Sequence, residues 1–363
     1  EVGGPINYTG LTPGTVTDPM KGGVINPISV YPFPNFKAEQ TKSYELGTNL
    51  RLFNNKINID ATVYLTDTYN QTFLSSMSPA SGYSGFYVQA GKVRNKGIEL
   101  SLGYNDRFGK VGYATNLTYT ANRNKIMKMV HDYKNPSDGS LFSITELTLQ
   151  DKGGVYLREK DAIGDVYVKG ILARGKDGKL IEEEGGYKVD RSQRIKIGSV
   201  NPGFSIGWRH NVTLNNITLD LLFNGRFGGI VTSSTQAFLD DYGVSKDTYK
   251  ARQNGGVWVN GTQYDAEKYY TTIGGEQLMA YYAYKATNIR LQEASLSYTL
   301  PGKWFGNVIN RLTVSAIGRN LWMIYNKAPF DPEMTSSTGT YNRGDVFMPP
   351  SLRSVGFSVK IEL

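Results

Sequence analysis

The chain has 363 residues, 25 tyrosines, 41 glycines, no cysteine, two histidines and a formal charge of +8. The missing cysteines exclude a disulfide framework, a cysteine-ligated zinc site and a thiol nucleophile, and His131 and His210 alone leave little for metal or acid–base chemistry. No apolar run approaches the ~20 residues of a membrane-crossing helix, and the Lys and Arg residues are scattered rather than gathered into the stripe that nucleic acid requires.

In chain order, Glu1-Val2-Gly3-Gly4 is polar where a signal peptide would be charged and then apolar, so mature or internal sequence is expected. The dominant pattern then begins. Leu46, Thr48, Leu50 and Leu52 alternate with Gly47, Asn49 and Arg51, and Asn54-Asn55-Lys56 turns the chain into Ile57, Ile59, Ala61, Val63 and Leu65. Period-two alternation puts one apolar and one polar face on each strand. The same hairpin recurs at 98–104 with 111–119 across a turn at 105–110, at 204–214 with 217–227 across Asn215-Asn216, and at 289–300 with 312–323 across Pro301-Gly302. Adding 141–149, 166–173 and the final alternation from Val355 to Leu363 predicts roughly eleven strands, each near the length of a tilted membrane strand.

The stretches 69–96, 123–140, 228–287 and 325–349 read as long connections between hairpins. Short turns alternating with long loops describe an all-β fold, an antiparallel transmembrane β-barrel with long extracellular loops. Counting back from a periplasmic C-terminus places the turns at Asn54, Asn105, Asn215 and Pro301 in the periplasm. A soluble sandwich fits less well, because Asn58, Asp60, Thr62, Tyr64 and Thr66 keep one face polar for longer than sandwich strands run. Tyr64, Tyr104, Trp208, Trp304 and Trp322 stand where an aromatic girdle is expected, and Asn58, Asp60, Asn116 and Glu293 are expected on a polar lumen face.

Few constellations point to chemistry. Residues 173–184 outline a calcium loop, but Ala173 and Gly175 occupy ligand positions, so a hairpin turn at Asp177-Gly178 is preferred. Glu182-Glu183-Glu184 and Asp240-Asp241 offer carboxylates, yet neighbours on a strand point to opposite faces, which disfavours an acid–base pair. His210 is expected at a strand end and His131 in a polar loop. The Asn-x-Thr triplets at Asn116 and Asn211 fall within strands. No enzyme, cofactor or metal is expected.

The connection 228–287 is the strongest candidate for ligand contact. It combines Trp258, Tyr264, Tyr269, Tyr270, Tyr281 and Tyr282 with Asp240, Asp241 and Arg252, and with Gln253 and Asn260. Flat aromatic faces suit sugar rings or peptide side chains, while charges and amides orient hydrogen bonds. The competing reading is that these rings pack the loop against itself or hold a lid.

Several stretches together resemble the SusC/RagA-like branch of TonB-dependent transporters of Bacteroidetes. They are Tyr31 to Gly47 with Asn35, Lys37, Glu39 and Glu45, Ala80-Ser-Gly-Tyr83 followed by Ala90 to Leu100, Asn224-Gly-Arg-Phe-Gly-Gly229, Asn288 to Pro301, and Gly318-Arg-Asn-Leu321 with Asp331-Pro-Glu333. The resemblance runs from about Tyr31 to Leu363 and implies the C-terminal part of an about 22-stranded barrel. Residues 1–44 would be an extracellular loop leading into a strand and 45–363 barrel, with the plug domain outside this chain. Implied too are outer-membrane import of oligosaccharides or peptides, a SusD-like surface lipoprotein partner, TonB acting through the plug, contact with outer-membrane lipid, and a possible dimer of transporter–lipoprotein pairs. A siderophore or cobalamin receptor, a passive porin and a surface adhesin are the alternatives.

Overall fold

A computed structural model describes residues 30–31, 37–76, 85–134, 139–149, 155–306, 308–336 and 344–363. Asn35, Ala80–Tyr83 and most of the expected 1–44 loop lie outside the described residues. Among the described residues, nine strands of nine residues or more lie in the largest sheet and carry the architecture: β1 (Gln40–Leu52), β2 (Ile57–Ser76), β3 (Gly85–Phe108), β4 (Val111–Lys128), β5 (Phe204–Leu214), β6 (Ile217–Phe227), β7 (Asn288–Pro301), β8 (Arg311–Asn326) and β9 (Ser354–Glu362). They lie in chain order in one sheet, with β1 and β9 each bearing one ladder neighbour among the described residues. The sheet is therefore open, a stretch of barrel wall.

The chain falls into two compact units, one of Glu1–Tyr44, Leu65–Lys96 and Arg123–Ile163, the other of Glu45–Tyr64, Gly97–Asn122 and Gly164–Leu363. In the second unit the β4–β5, β5–β6 and β8–β9 ladders run without a register shift, while the β6–β7 and β7–β8 ladders shift near Phe223 and near Arg290 and Glu293. Val359, Val314, Tyr298, Ile217 and Leu214 line one cross-strand row, and Phe357, Ala316, Leu296, Leu219 and Val212 line the next. Many of these side chains stay open, with Phe357 84 % and Leu296 55 % exposed. An apolar face of this extent belongs against lipid rather than water. The opposite face is polar and cross-linked by hydroxyl pairs, Ser297 with Ser315 at 2.8 Å, Thr299 with Thr313 at 3.1 Å and Thr213 with Thr218 at 3.2 Å, together with Arg209–Asp220 and Arg319–Glu293, both at 2.9 Å. Cross-strand pairs of this kind fix register, since a one-residue slip would exchange the two faces.

The sequence reading erred on particular elements. Residues 141–149 form two four-residue strands, Leu141–Ile144 and Glu146–Leu149. At the strand rise each covers only about 13 Å, too little to cross a bilayer. Asp165–Leu172 pairs with Val189–Ser199 in a separate two-stranded ribbon. Among the described residues nine long strands of the main sheet thus stand where eleven were expected, and because two were removed, the alternation of short and long connections is preserved. β2 and β3 also run well into the expected 69–96 loop. The 24 residues of β3 reach about 80 Å, beyond any membrane requirement. Short turns remain at 53–56, 109–110 and 215–216, whereas β7 and β8 are joined by a 3-10 helix, Gly302–Phe305, rather than a tight turn at Pro301-Gly302.

Two placements change as well. Tyr64 belongs to the polar phase of β2, and its ring lies over Gly97, where a Cβ would collide with it and with the Ala121 carbonyl. It is not part of an outward girdle. His210 sits within β5 rather than at its end. Its Nδ1 meets the Tyr113 hydroxyl at 2.9 Å and its ring lies 4.3 Å from that of Trp208. Trp208, Trp304 and Trp322 are 47 %, 63 % and 60 % exposed.

Candidate functional site

The connection 228–287 folds into a lobe of three helices, α1 (Ser234–Asp241), α2 (Lys246–Gln253) and α3 (Ala266–Gly275). Each begins at a side-chain cap that the sequence supplies. Ser233 accepts from the Gln236 N–H at 2.9 Å, Ser245 from Thr248 at 3.0 Å and Asp265 from Lys268 at 2.8 Å, satisfying donors that a helix start leaves free. Ser233 also donates to Asp345 at 2.6 Å, joining the lobe to the connection before β9.

The lobe has its own apolar core: Leu172, Leu180, Tyr187, Ala237, Tyr264, Ile273, Leu278 and Tyr282, with Tyr269, Tyr270 and Tyr281 packed on its margin. It draws residues from 165–203 and from 228–287, so two connections far apart in sequence fold together. Phenol oxygens satisfy backbone donors across that junction. Tyr281 accepts from the Leu172 N–H at 2.9 Å, and Tyr264 accepts from Leu180 at 3.0 Å. Burial, reinforced by neighbouring phenols and Asp240, pushes Tyr269 and Tyr270 up to about 12. Burial drives Tyr282 higher still, with the Asp240 charge adding to it, and raises Asp240 itself above the usual carboxylate range.

The nine candidate residues consequently divide. Asp240, Asp241, Arg252 and Tyr270 come together around a cleft of about 280 Å³. Tyr264, Tyr269, Tyr281 and Tyr282 belong to the lobe's core and its margin, as the packing alternative expects. Trp258 stands 63 % exposed in the short ribbon of Val257–Val259 and Thr262–Tyr264. The cleft adds Tyr242, Glu267 and Thr271, which the sequence reading missed. Glu267, Tyr270 and Thr271 share a helix face at i, i+3 and i+4, a pattern that could have found them. Arg252 is held by donating to the Gly243 carbonyl at 2.9 Å. Three carboxylates, one guanidinium and two phenols give the cleft a mixed polarity.

A second concavity, about 580 Å³, lies on the polar face and is lined by Asn49, Asn58, Asp60, Tyr104, Asn105 and Asn116 among others. Asn58, Asp60 and Asn116 thus fall on one polar surface as expected. Asn49 donates to Asp60 at 2.9 Å and Ser101 to Asn116 at 2.9 Å, and these bonds leave amide groups facing the cavity. At residues 173–184 the chain makes a turn in which Asp177 accepts from the Lys179 N–H at 3.1 Å and Gly178 adopts a left-handed φ of 79°. His131 pairs with Glu159 at 2.5 Å.

The family model for the TonB-dependent receptor-like β-barrel matches residues 4–157. Over that stretch the chain is similar to the TonB-dependent receptor barrels. Two such receptors of Formosa agariphila are similar to it: TonB-dependent receptor P3 is 24 % identical over 88 % of this chain, and TonB-dependent receptor P39 is 21 % identical over 86 %. The chain spans about a third of the length of each, 33 % and 34 %. Among solved structures, the RagAB peptide importer in its open-open state shares the fold at a TM-score of 0.67 and 19 % identity, over 93 % of this chain and 36 % of that one. Its closed-closed state aligns at 0.64 and 18 % identity, over 89 % and 35 %. TonB-dependent receptor barrels are outer-membrane transport proteins, and the long strands of this chain form an open sheet of that fold.

Proposed function

We propose that this chain forms the C-terminal wall and an extracellular lobe of an outer-membrane importer for oligosaccharides or peptides. Residues 45–363 would supply wall and loops, and a plug elsewhere in the full protein would couple them to TonB. The observation that carries the reading is the pairing of a lipid-type apolar face with a folded lobe on the long-connection side. A passive wall has no need of the second. In this reading the short turns and the C-terminus are periplasmic. The lobe cleft, with Asp240, Asp241, Arg252 and Tyr270, and the exposed Trp258 meet solute or a SusD-like lipoprotein lid, and a dimer of transporter–lipoprotein pairs is the expected assembly.

Likeness to a peptide importer favours peptide over glycan, and the three carboxylates of the cleft suit basic peptide groups. The test is growth and uptake. Deleting the gene should abolish uptake of a labelled oligopeptide or oligosaccharide, and Trp258→Ala with Arg252→Ala should lower it while barrel assembly is retained. Unchanged uptake of every peptide and glycan tested, with loss of surface attachment instead, would replace the importer with an adhesin.

A further inference from the structure

The lobe cleft, lined by residues of α1, α2 and α3, holds a buried carboxylate to which the chain brings no cation. Asp240, in the last turn of α1, is 4 % exposed and lines the cleft with Asp241, Glu267 and Arg252. Its carboxyl accepts from the Gln236 amide at 3.2 Å, and the other polar groups that bear on it are Ser245, Tyr282 and the like charge of Asp247. A carboxylate buried so deeply is ordinarily paired with a positive group. Arg252 is the cleft's own cation, yet it turns to backbone. Its Nη1 donates to the Gly243 carbonyl at 2.9 Å, and among the described residues it forms no ion pair with the three carboxylates. Asp241 is half-buried, and Glu267 is exposed in the first turn of α3.

At about 280 Å³ the cleft is near the small end of ligand sites, which suits the end of an oligomer rather than a long stretch of one. An ammonium group has three N–H donors and no acceptor, one donor for each of the three carboxylates. In a peptide the α-ammonium adjoins the first carbonyl, so an acceptor oxygen comes within one residue of the charge. The remaining guanidinium donors of Arg252 match that oxygen. A lysine side chain sets four methylenes between its ammonium and the backbone, and a neutral sugar offers the carboxylates no charge. We infer that this cleft captures the N-terminal α-ammonium of a peptide, with Asp240, Asp241 and Glu267 as acceptors and Arg252 as donor to the first carbonyl. The inference rests on the peptide-import reading of the same cleft and adds which end of the peptide enters it.

The experiment titrates the full-length receptor in phosphatidylcholine nanodiscs with tetra-alanine, N-acetyl-tetra-alanine and an N-acetylated tetrapeptide of three alanines and one lysine, by isothermal calorimetry. Asp240→Asn keeps the side-chain shape and an acceptor for Gln236 while removing the charge, and limited proteolysis reports the folded lobe. Glu267→Gln, at an exposed position, is the second variant. The wild type should prefer the free over the acetylated N-terminus by at least about ten-fold, the worth of a charged hydrogen bond. Asp240→Asn should bring that ratio close to one and Glu267→Gln should reduce it, while the lysine peptide should bind as weakly as acetylated tetra-alanine. Equal binding of the free and acetylated forms, an unchanged preference in Glu267→Gln or in folded Asp240→Asn, or a lysine peptide as tight as the free N-terminus would each overturn the assignment. Cellular uptake of tetra-alanine labelled at its C-terminus separates the two readings. Equal uptake of its free and acetylated forms would overturn the N-terminal capture and leave peptide import standing, whereas uptake of neither would overturn both.

Discussion

Replacing Arg290 should release the connection between β8 and β9 from the wall. Arg290 is near the start of β7 with its side chain 6 % exposed. It donates to Asp331 at 2.8 and 3.3 Å and lies 3.4 Å from Glu333. Its Nε is buried without a hydrogen-bond partner, so the two terminal nitrogens carry the contact. Asp331 also accepts from the Ser351 hydroxyl at 2.5 Å and from the Glu333 N–H at 3.0 Å, so one carboxylate gathers both ends of the connection. Arg290→Ala leaves that carboxylate buried and unpaired, at a local cost of about 3–5 kcal/mol. Lysine should restore only part, lacking the fork that engages two oxygens. Burial opposes ionisation of Asp331, but the bonds from Arg290, Ser351 and Glu333 outweigh it and hold its pKa below the usual carboxylate range. A depressed folded pKa means the stabilisation is complete above the unfolded value of about 3.9 and is lost as pH falls through the lower folded value. Hydrogen exchange on the full-length receptor at pH 7 should show faster exchange across 327–336 and 344–353 in the alanine variant, and in the wild type the same change should appear only in acid below about pH 4. Unchanged exchange in Arg290→Ala would refute the reasoning.

Tyr264→Phe removes the acceptor of a buried N–H and should destabilise the lobe by about 1–3 kcal/mol, whereas Trp258→Ala should fall within about 0.5 kcal/mol; limited proteolysis of the lobe ranks the two, and equal resistance would contradict the hydrogen-bond argument. Gly97→Val places a side chain where the Tyr64 ring and the Ala121 carbonyl stand, costing about 1–3 kcal/mol in urea unfolding. Tyr64→Ala in the same chain should recover part of the loss, and no recovery would mean that the ring is not the obstacle. Tyr269 and Tyr270 ionise near 12 rather than at the ordinary 10. A phenol raised in the folded state favours folding less as pH climbs past its unfolded value, so the lobe should loosen between about pH 10 and 12, and ultraviolet titration showing both phenols ionising at 10 would contradict their burial.

The alternation of Val355 to Leu363, of β5 with β6 and of β7 with β8 was legible because period two and the contrast between lipid and lumen are properties of neighbouring residues. The parity of short and long connections followed from the same signal. The reading stopped short in β2 and β3, where period two continues through Lys92, Arg94 and Lys96 but the apolar half of the contrast ends. A hydropathy pattern cannot report a strand whose apolar phase has become cationic. It overcounted at 141–149, where only Glu146–Leu149 joins the main sheet and does so through the Ser75–Leu149 pair, and at 166–173, which alternates locally yet pairs in a separate ribbon.

For the candidate site, the sequence determined composition but not arrangement. It located the aromatic, acidic and basic residues of 228–287 and the serine and aspartate caps. Only tertiary structure decided that Tyr264 and Tyr282 are core, that Asp240, Asp241, Arg252 and Tyr270 meet at one cleft, and that the lobe's core is completed by Leu172, Leu180 and Tyr187 from another connection. The strand pattern survives in one dimension because a sheet repeats its two faces every second residue. The lobe does not, because its contacts join residues about a hundred apart, and no local period encodes which of two tyrosines will be buried.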